Sequence, residues 1–178
     1  MSSIFRNISQ HEGMTKTLFI EFIGDIADAV QRADSEEFRV ECLGILGNLT
    51  IPDLDFERML TEYDLVPWMK NKLAPGHGGG GDDDLVLEII VFIGTCATDQ
   101  QAAIYICKCD LLQCIIELLK DKQEDDEMVL QVTEPLRALL KYDVLDNFFP
   151  RWFTSFICCA LTRQRGILSF RRRTPLPT

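Results

Sequence analysis

The sequence predicts an all-α fold, an α-solenoid of three-helix repeats, and three observations predict it. First, segments recur: "FRNISQ" (5–10) lines up with "LGNLTI" (46–51), "VECLGILGNLT" (40–50) with "LEIIVFIGTCA" (87–97), and "DLVLEII" (84–90) with "EMVLQVT" (127–133), at spacings of 41, 47 and 43 residues. Periods in this band belong to stacked armadillo or HEAT units, and periodicity alone leaves both open. Second, "LVLEIIVFIGT" (85–95) is apolar nearly all round, the pattern of a helix buried between neighbours. Third, 178 residues with 47% hydrophobic side chains supply enough apolar surface for one domain with a core.

The elements follow in order. Residues 4–132 carry the repeats, with breaks near 35, 51 and 98. The third helix of each unit opens on acids, Glu36 and Glu37 in one and Asp83 and Asp84 in the next, which suit the positive helix N-terminus. After Asn48-Leu49-Thr50, a turn at Pro52 leads to "DLDFERMLTEY", where Leu54, Met59 and Leu60 fit one short helix. "LVPWMKNKL" follows, with Pro67 in the first turn, where a missing N–H costs no intrahelical bond. "PGHGGGGDDD" (75–84) reads as a flexible connector. From Thr133 the repeat pattern stops and Glu134-Pro135 is expected to break the helix, leaving 133–178 as a divergent basic tail.

Residues seven apart share a helix face. Glu41, Gly44 and Asn48 therefore form a stripe on one third helix, and Glu88, Val91 and Thr95 the matching stripe on the next, with Asn7 at the place of Asn48 one unit earlier. In an armadillo stack the third helices line the concave groove, and an Asn amide there both donates to and accepts from an extended peptide backbone. The plainer reading is that Asn48 helps to end its helix. Asn48-Leu49-Thr50 also has the form of a glycosylation acceptor, but no apolar run after Met1 suggests a secretory signal, so the sequon is expected to be idle.

"FRNISQHEGMTKTLFIEFIGDIA" (5–27), "ECLGILGNLTIPDLDFERML" (41–60), "LVPWMKNKL" (65–73) and "DDDLVLEIIVFIGT" (82–95) resemble the armadillo repeats of kinesin-associated protein, the accessory subunit of heterotrimeric kinesin. The resemblance covers residues 4–131. It implies an adaptor that links motor-subunit tails to cargo, in the cytoplasm, on microtubules and in ciliary transport.

Two segments depart from that family. In the Gly-rich connector, Gly76 and Gly81 have phosphate-loop spacing, but Asp82 stands where the lysine is needed, and three consecutive carboxylates repel phosphate. Consecutive acids also lack the alternation of an EF-hand loop. The second departure is the tail. Residues 1–132 carry a net −15 and residues 133–178 a net +5, a reversal that suggests an alternative C-terminal exon. "WFTSFICCAL" (152–161), followed by Arg163, Arg165 and "RRR" (171–173), raises the alternative of a lipidated, polybasic membrane contact at Cys158 and Cys159. A disordered or poorly packed tail is the expectation set against it, because its apolar residues show no clear period. A non-functional or dominant-negative truncated form is a further alternative.

Neither catalysis nor metal chemistry is expected. His77 lies in the Gly-rich loop, and His11 in "SQHEGM" has no nucleophile and convergent acid beside it. Cys107, Cys109 and Cys114 lack paired C-x2-C spacing and a fourth ligand, so they read as buried structural thiols rather than a zinc site. No cofactor follows, and the chain reads as a non-enzyme. An acidic body excludes nucleic acid and favours a peptide carrying Lys or Arg against Glu41 and Glu88. Armadillo proteins that read nuclear-import signals carry Trp four residues before the ladder Asn. Gly44 and Val91 stand there instead.

Overall fold

A computed structural model of the chain describes residues 2–11, 13–51, 54–74 and 83–142. Among the described residues there are ten α-helices, one 3-10 helix at Ile20–Phe22, and no strand. The helices are α1 (Ser2–Gln10), α2 (Met14–Thr17), α3 (Ile23–Arg32), α4 (Glu36–Gly47), α5 (Phe56–Glu62), α6 (Leu65–Leu73), α7 (Asp83–Cys96), α8 (Gln100–Lys108), α9 (Leu111–Asp121) and α10 (Asp126–Lys141).

Neighbour packing sorts them into three ladders. α1 packs on α4, α4 on α7 and α7 on α10, while α3, α6 and α9 form a second ladder and α5 and α8 pair in a third. The α5–α6–α7 and α8–α9–α10 triplets are complete three-helix units. α2, the 3-10 turn, α3 and α4 form the unit before them, and α1 stands where a preceding third helix belongs. This is an all-α solenoid of three-helix repeats.

Each boundary has a local cause. The N–H groups that open α4, α5, α8 and α10 are met by a side-chain oxygen one residue before each helix. Phe38 donates to Ser35 Oγ at 3.3 Å, Arg58 to Asp55 Oδ1 at 2.8 Å, Ala102 to Asp99 Oδ1 at 2.9 Å and Met128 to Asp125 Oδ1 at 3.0 Å. The sharp turns from α5 into α6 and from α8 into α9 use Asp64 at φ 51° and Asp110 at φ 62°. An aspartate tolerates this left-handed conformation better than bulky or branched residues. Pro67 falls in the first turn of α6, as its position in the sequence predicts. Leu54 lies in the segment before α5, so the short helix begins at Phe56 rather than at Leu54.

One contiguous core runs through all three units, from Ile23 to Leu139. Its centre is α7, where Leu85, Ile89, Ile90, Phe92 and Ile93 are wholly inaccessible. The other third helices press on α7 from both sides, so its near-complete apolar circumference is consumed.

The expected break at Pro135 does not occur. α10 continues through the proline to Lys141, and the tail boundary placed at Thr133 falls inside a helix. An interior proline costs about 3 kcal/mol through the lost backbone bond and the ring clash. Burial of Met128, Val132, Leu136 and Leu139 along the same helix outweighs it. Pro135 is itself buried, and a Cβ placed on Gly94 of α7 would lie 3.4 Å from its Cδ, so the ring packs against α7 at Gly94.

Truncating Phe92 to Ala should destabilise the domain by about 3–5 kcal/mol in urea melts, the range for a fully buried aromatic. Asp64→Ala should cost less than about 1 kcal/mol, because Asp64 already carries the Cβ that strains a left-handed backbone, and Asp64→Gly should be more stable than Asp64→Ala in the same melts.

Candidate functional site

The ladder of third helices carries the predicted stripe. Repeat spacing sets Glu37, Asp84 and Glu127 in one row across α4, α7 and α10, and Glu41, Glu88 and Gln131 in the next. Glu37, Asp84 and Glu127 are exposed. Glu41 and Glu88 are not free in the same way, because Arg6 of α1 lies between them.

Arg6 projects across α4 and reaches α7. Its Nη2 donates to Glu88 Oε1, and its Nη1 stands 3.9 Å from Glu41 Oε1. One guanidinium thereby spans three successive third helices. It passes directly over Gly44, where a Cβ would lie 2.5 Å from Arg6 Nε. The absent side chain at Gly44 is the trough in which Arg6 lies, and Val91, at the matching place one unit on, offers no such trough.

The ion pair is well sheltered, with side chains 27% exposed at Arg6 and 12% at Glu88. Burial pushes the Glu88 carboxyl above the usual carboxylate range, with smaller contributions from Glu41 and Asp84. Attraction and the hydrogen bond from Arg6 oppose that rise. Breaking such a pair leaves a half-buried charge without its partner, which costs more than the pair itself contributes.

Asn48 caps the C-terminal end of α4, and its Nδ2 donates to Ser9 Oγ of α1 at 3.0 Å. Ser9 is fully buried and donates in turn to the Arg6 carbonyl at 2.7 Å. Thr95 Oγ1 lies 2.8 Å from the Gly47 carbonyl, to which it donates, and 3.2 Å from the Val91 carbonyl of its own helix. Asn48 and Thr95 thus bond backwards to the preceding third helix. Asn7 is exposed and Val91 half-buried. The structure therefore joins Glu41, Gly44, Asn48, Glu88 and Thr95 into inter-helix contacts and leaves Asn7 on the surface.

Arg6 and Ser9 were not among the sequence-predicted residues. The legible clue was Gly44, a glycine inside a helix and so a mark of close approach. What approaches it is a residue 38 positions earlier, which no local pattern points to.

Other candidates look structural. Cys42 and Cys107 are buried, and burial raises their thiols to about 11 and about 12. Cys109 and Cys114 are partly buried and shifted up by the same cause. Thiols held protonated are poor nucleophiles and poor metal ligands. Among the described residues no group of three or more His, Cys, Asp or Glu could hold a metal ion, and no helix is long and apolar enough to cross a membrane. His11 is exposed in the turn after α1, its N–H donating to the Ile8 carbonyl at 3.2 Å. His77, the loop 75–82, Cys158 and Cys159 lie outside the described residues.

Gly44→Ala should expel Arg6 from its trough and lower stability in the denaturation assay, because the new Cβ would lie 2.5 Å from Arg6 Nε. The pH dependence has a definite sign. Glu88 titrates above its ordinary value when folded, so the folded chain binds that proton more tightly than the unfolded chain. Its stabilising contribution is present at acid pH and falls as pH rises from the ordinary value through the raised one. Arg6→Ala removes the opposing cation and raises that carboxyl further. The substitution should cost about 1–3 kcal/mol at pH 7 and less at pH 5, with Arg6→Ala/Glu88→Gln recovering most of the loss at pH 7 in urea melts.

A family model described as Kinesin-associated protein (KAP) matches residues 1–148. No solved structure matches the chain.

Proposed function

Because the chain belongs to the kinesin-associated protein family, we propose that it is a non-enzymatic adaptor whose third-helix face holds a basic segment of a kinesin motor tail and leaves other surfaces for a cargo protein. The observation that carries this reading is the exposed acidic row Glu37, Asp84 and Glu127, one carboxylate per unit on the same helix of each repeat. An extended chain laid across the ladder meets one such carboxylate at each helix-to-helix step of about 8–10 Å, roughly every third residue of the bound chain. A segment with Lys or Arg at that interval fits the row. The net −15 of residues 1–132 adds long-range attraction for such a partner and repels nucleic acid.

The acids Glu41 and Glu88 have a different part in this reading. Arg6 already engages them, so they shape the floor of the face while the exposed row makes the salt-sensitive contacts. Replacing Glu41 and Glu88 by Lys would set two cations beside Arg6 and disturb the fold, which makes the exposed row the better place to test recognition. A setting in the cytoplasm along microtubules, including the cilium, belongs to the same proposal and rests on the family.

The test is co-elution on size exclusion of residues 1–178 with the paired C-terminal tails of a heterotrimeric kinesin. A stoichiometric shifted peak is expected, and Glu37→Gln/Asp84→Gln/Glu127→Gln should weaken it about tenfold, with a shallower salt dependence and a single cooperative melt lowered only by the lost first-turn charges. Separate elution of the folded chain from the tails would end this reading.

A further inference from the structure

An apolar groove opens at the N-terminal end of the stack. It has a volume of about 730 Å³, and Phe5, Leu18, Phe22, Ile26, Phe38 and Ile45 are among the residues that line it. The repeat shows what kind of surface this is. Phe38 of α4 occupies the position of Leu85 in α7 and Met128 in α10. Leu85 and Met128 are 0% and 3% exposed, whereas Phe38 is 43% exposed. The groove is thus the part of the inter-repeat face that α1 leaves uncovered, between α1, α3 and the start of α4, with apolar positions open to solvent.

We propose that the chain's own segment 152–161, "WFTSFICCAL", fills this groove. Three observations select it over other occupants. The first is its spacing. Trp152, Phe153, Phe156, Ile157, Ala160 and Leu161 recur at i, i+1, i+4, i+5, i+8 and i+9, one face of a helix, with Thr154, Ser155, Cys158 and Cys159 on the opposite side. Such a spacing matches what an inter-repeat face receives elsewhere in the stack.

The second observation is charge. Asp25 stands on the groove wall, and Glu21 and Glu37 are exposed on the elements that build it. Arg151 precedes the apolar segment, and Arg163 and Arg165 follow it, so a basic flank meets an acidic rim. A second copy placing its own groove face to face would instead bring like charges together.

The third is reach. α4, which forms the groove floor, is two helix-to-helix steps from α10, or about 16–20 Å. The nine residues 143–151 can extend to about 30 Å, enough to carry segment 152–161 from the end of α10 across the ladder. The groove then holds no place for an outside helix while the tail is seated.

Hydrogen exchange on the full chain tests this, comparing it with Phe153→Ser/Phe156→Ser/Leu161→Ser. Amides of residues 14–29 should exchange about tenfold faster in the variant, with the wild-type protection independent of protein concentration. Equal rates in the two chains would overturn the proposal. Protection that disappears on dilution would overturn it in favour of a second copy. From the groove side, Phe22→Ser should shift the emission of Trp152 to the red in a Trp68→Phe background, and an unchanged spectrum would count equally against the docking.

Discussion

The close packing of the third helices on one another is the constraint on which the rest of this structure depends. α7 is apolar around most of its circumference, with Asp84, Glu88 and Thr95 along one narrow edge, so it is held as the inner member of a ladder with α4 on one side and α10 on the other. Glycines stand at equivalent contacts between successive third helices. A Cβ at Gly47 would meet the Phe92 Cα at 3.7 Å, and one at Gly94 would meet Pro135 Cδ at 3.4 Å, the same step of the repeat made twice. The outer two ladders follow from this spacing. Once successive third helices are fixed, α3, α6 and α9 fall into line behind them, and Gln31 Nε2 can donate to the Tyr63 carbonyl at 2.6 Å across neighbouring units. Stability in such a stack is a sum over units and their interfaces, which lets one interface absorb a proline that would end an isolated helix.

The same ladder carries the acidic stripe, and the chain has partly satisfied that stripe from within. Arg6 brings to Glu88 the guanidinium that a basic partner would bring, and Gly44 leaves the space for it. Glu37, Asp84 and Glu127 stay exposed, one on each third helix. Buried acids with an internal partner give a fixed shape, whereas exposed acids give attraction that salt can screen.

Exposed apolar side chains are unevenly spread over the described residues. Ile4, Phe5, Met14, Leu18, Ile20, Phe22 and Phe38 are all exposed within the first 38 residues, while past them Leu130 is the large apolar side chain open to solvent among the described residues. Repeat units bury their apolar faces on neighbours, so a face of this size is an interface in waiting. The basic residues beyond Lys141 and the acids near that face are of opposite sign, and the one can offset the other.

The sequence by itself determined the helical class, the order of the units and much of their interior. Spacings of 41, 47 and 43 residues, acids at the start of each third helix and the apolar circumference of "LVLEIIVFIGT" are one-dimensional records of periodic packing, and the family likeness is written in the same segments. What only the tertiary structure decided is where the polar groups of that period point. Glu41, Asn48 and Thr95 have the spacing of a peptide ladder, yet Asn48 turns to Ser9, Thr95 to Gly47 and Glu41 toward Arg6, all partners 35 or more residues away. Pro135 is the converse case, a residue that locally forbids a helix and globally sits inside one. Periodicity states which residues share a face. Whether that face meets water or a neighbouring helix depends on contacts between distant units, and those arise only when the stack closes.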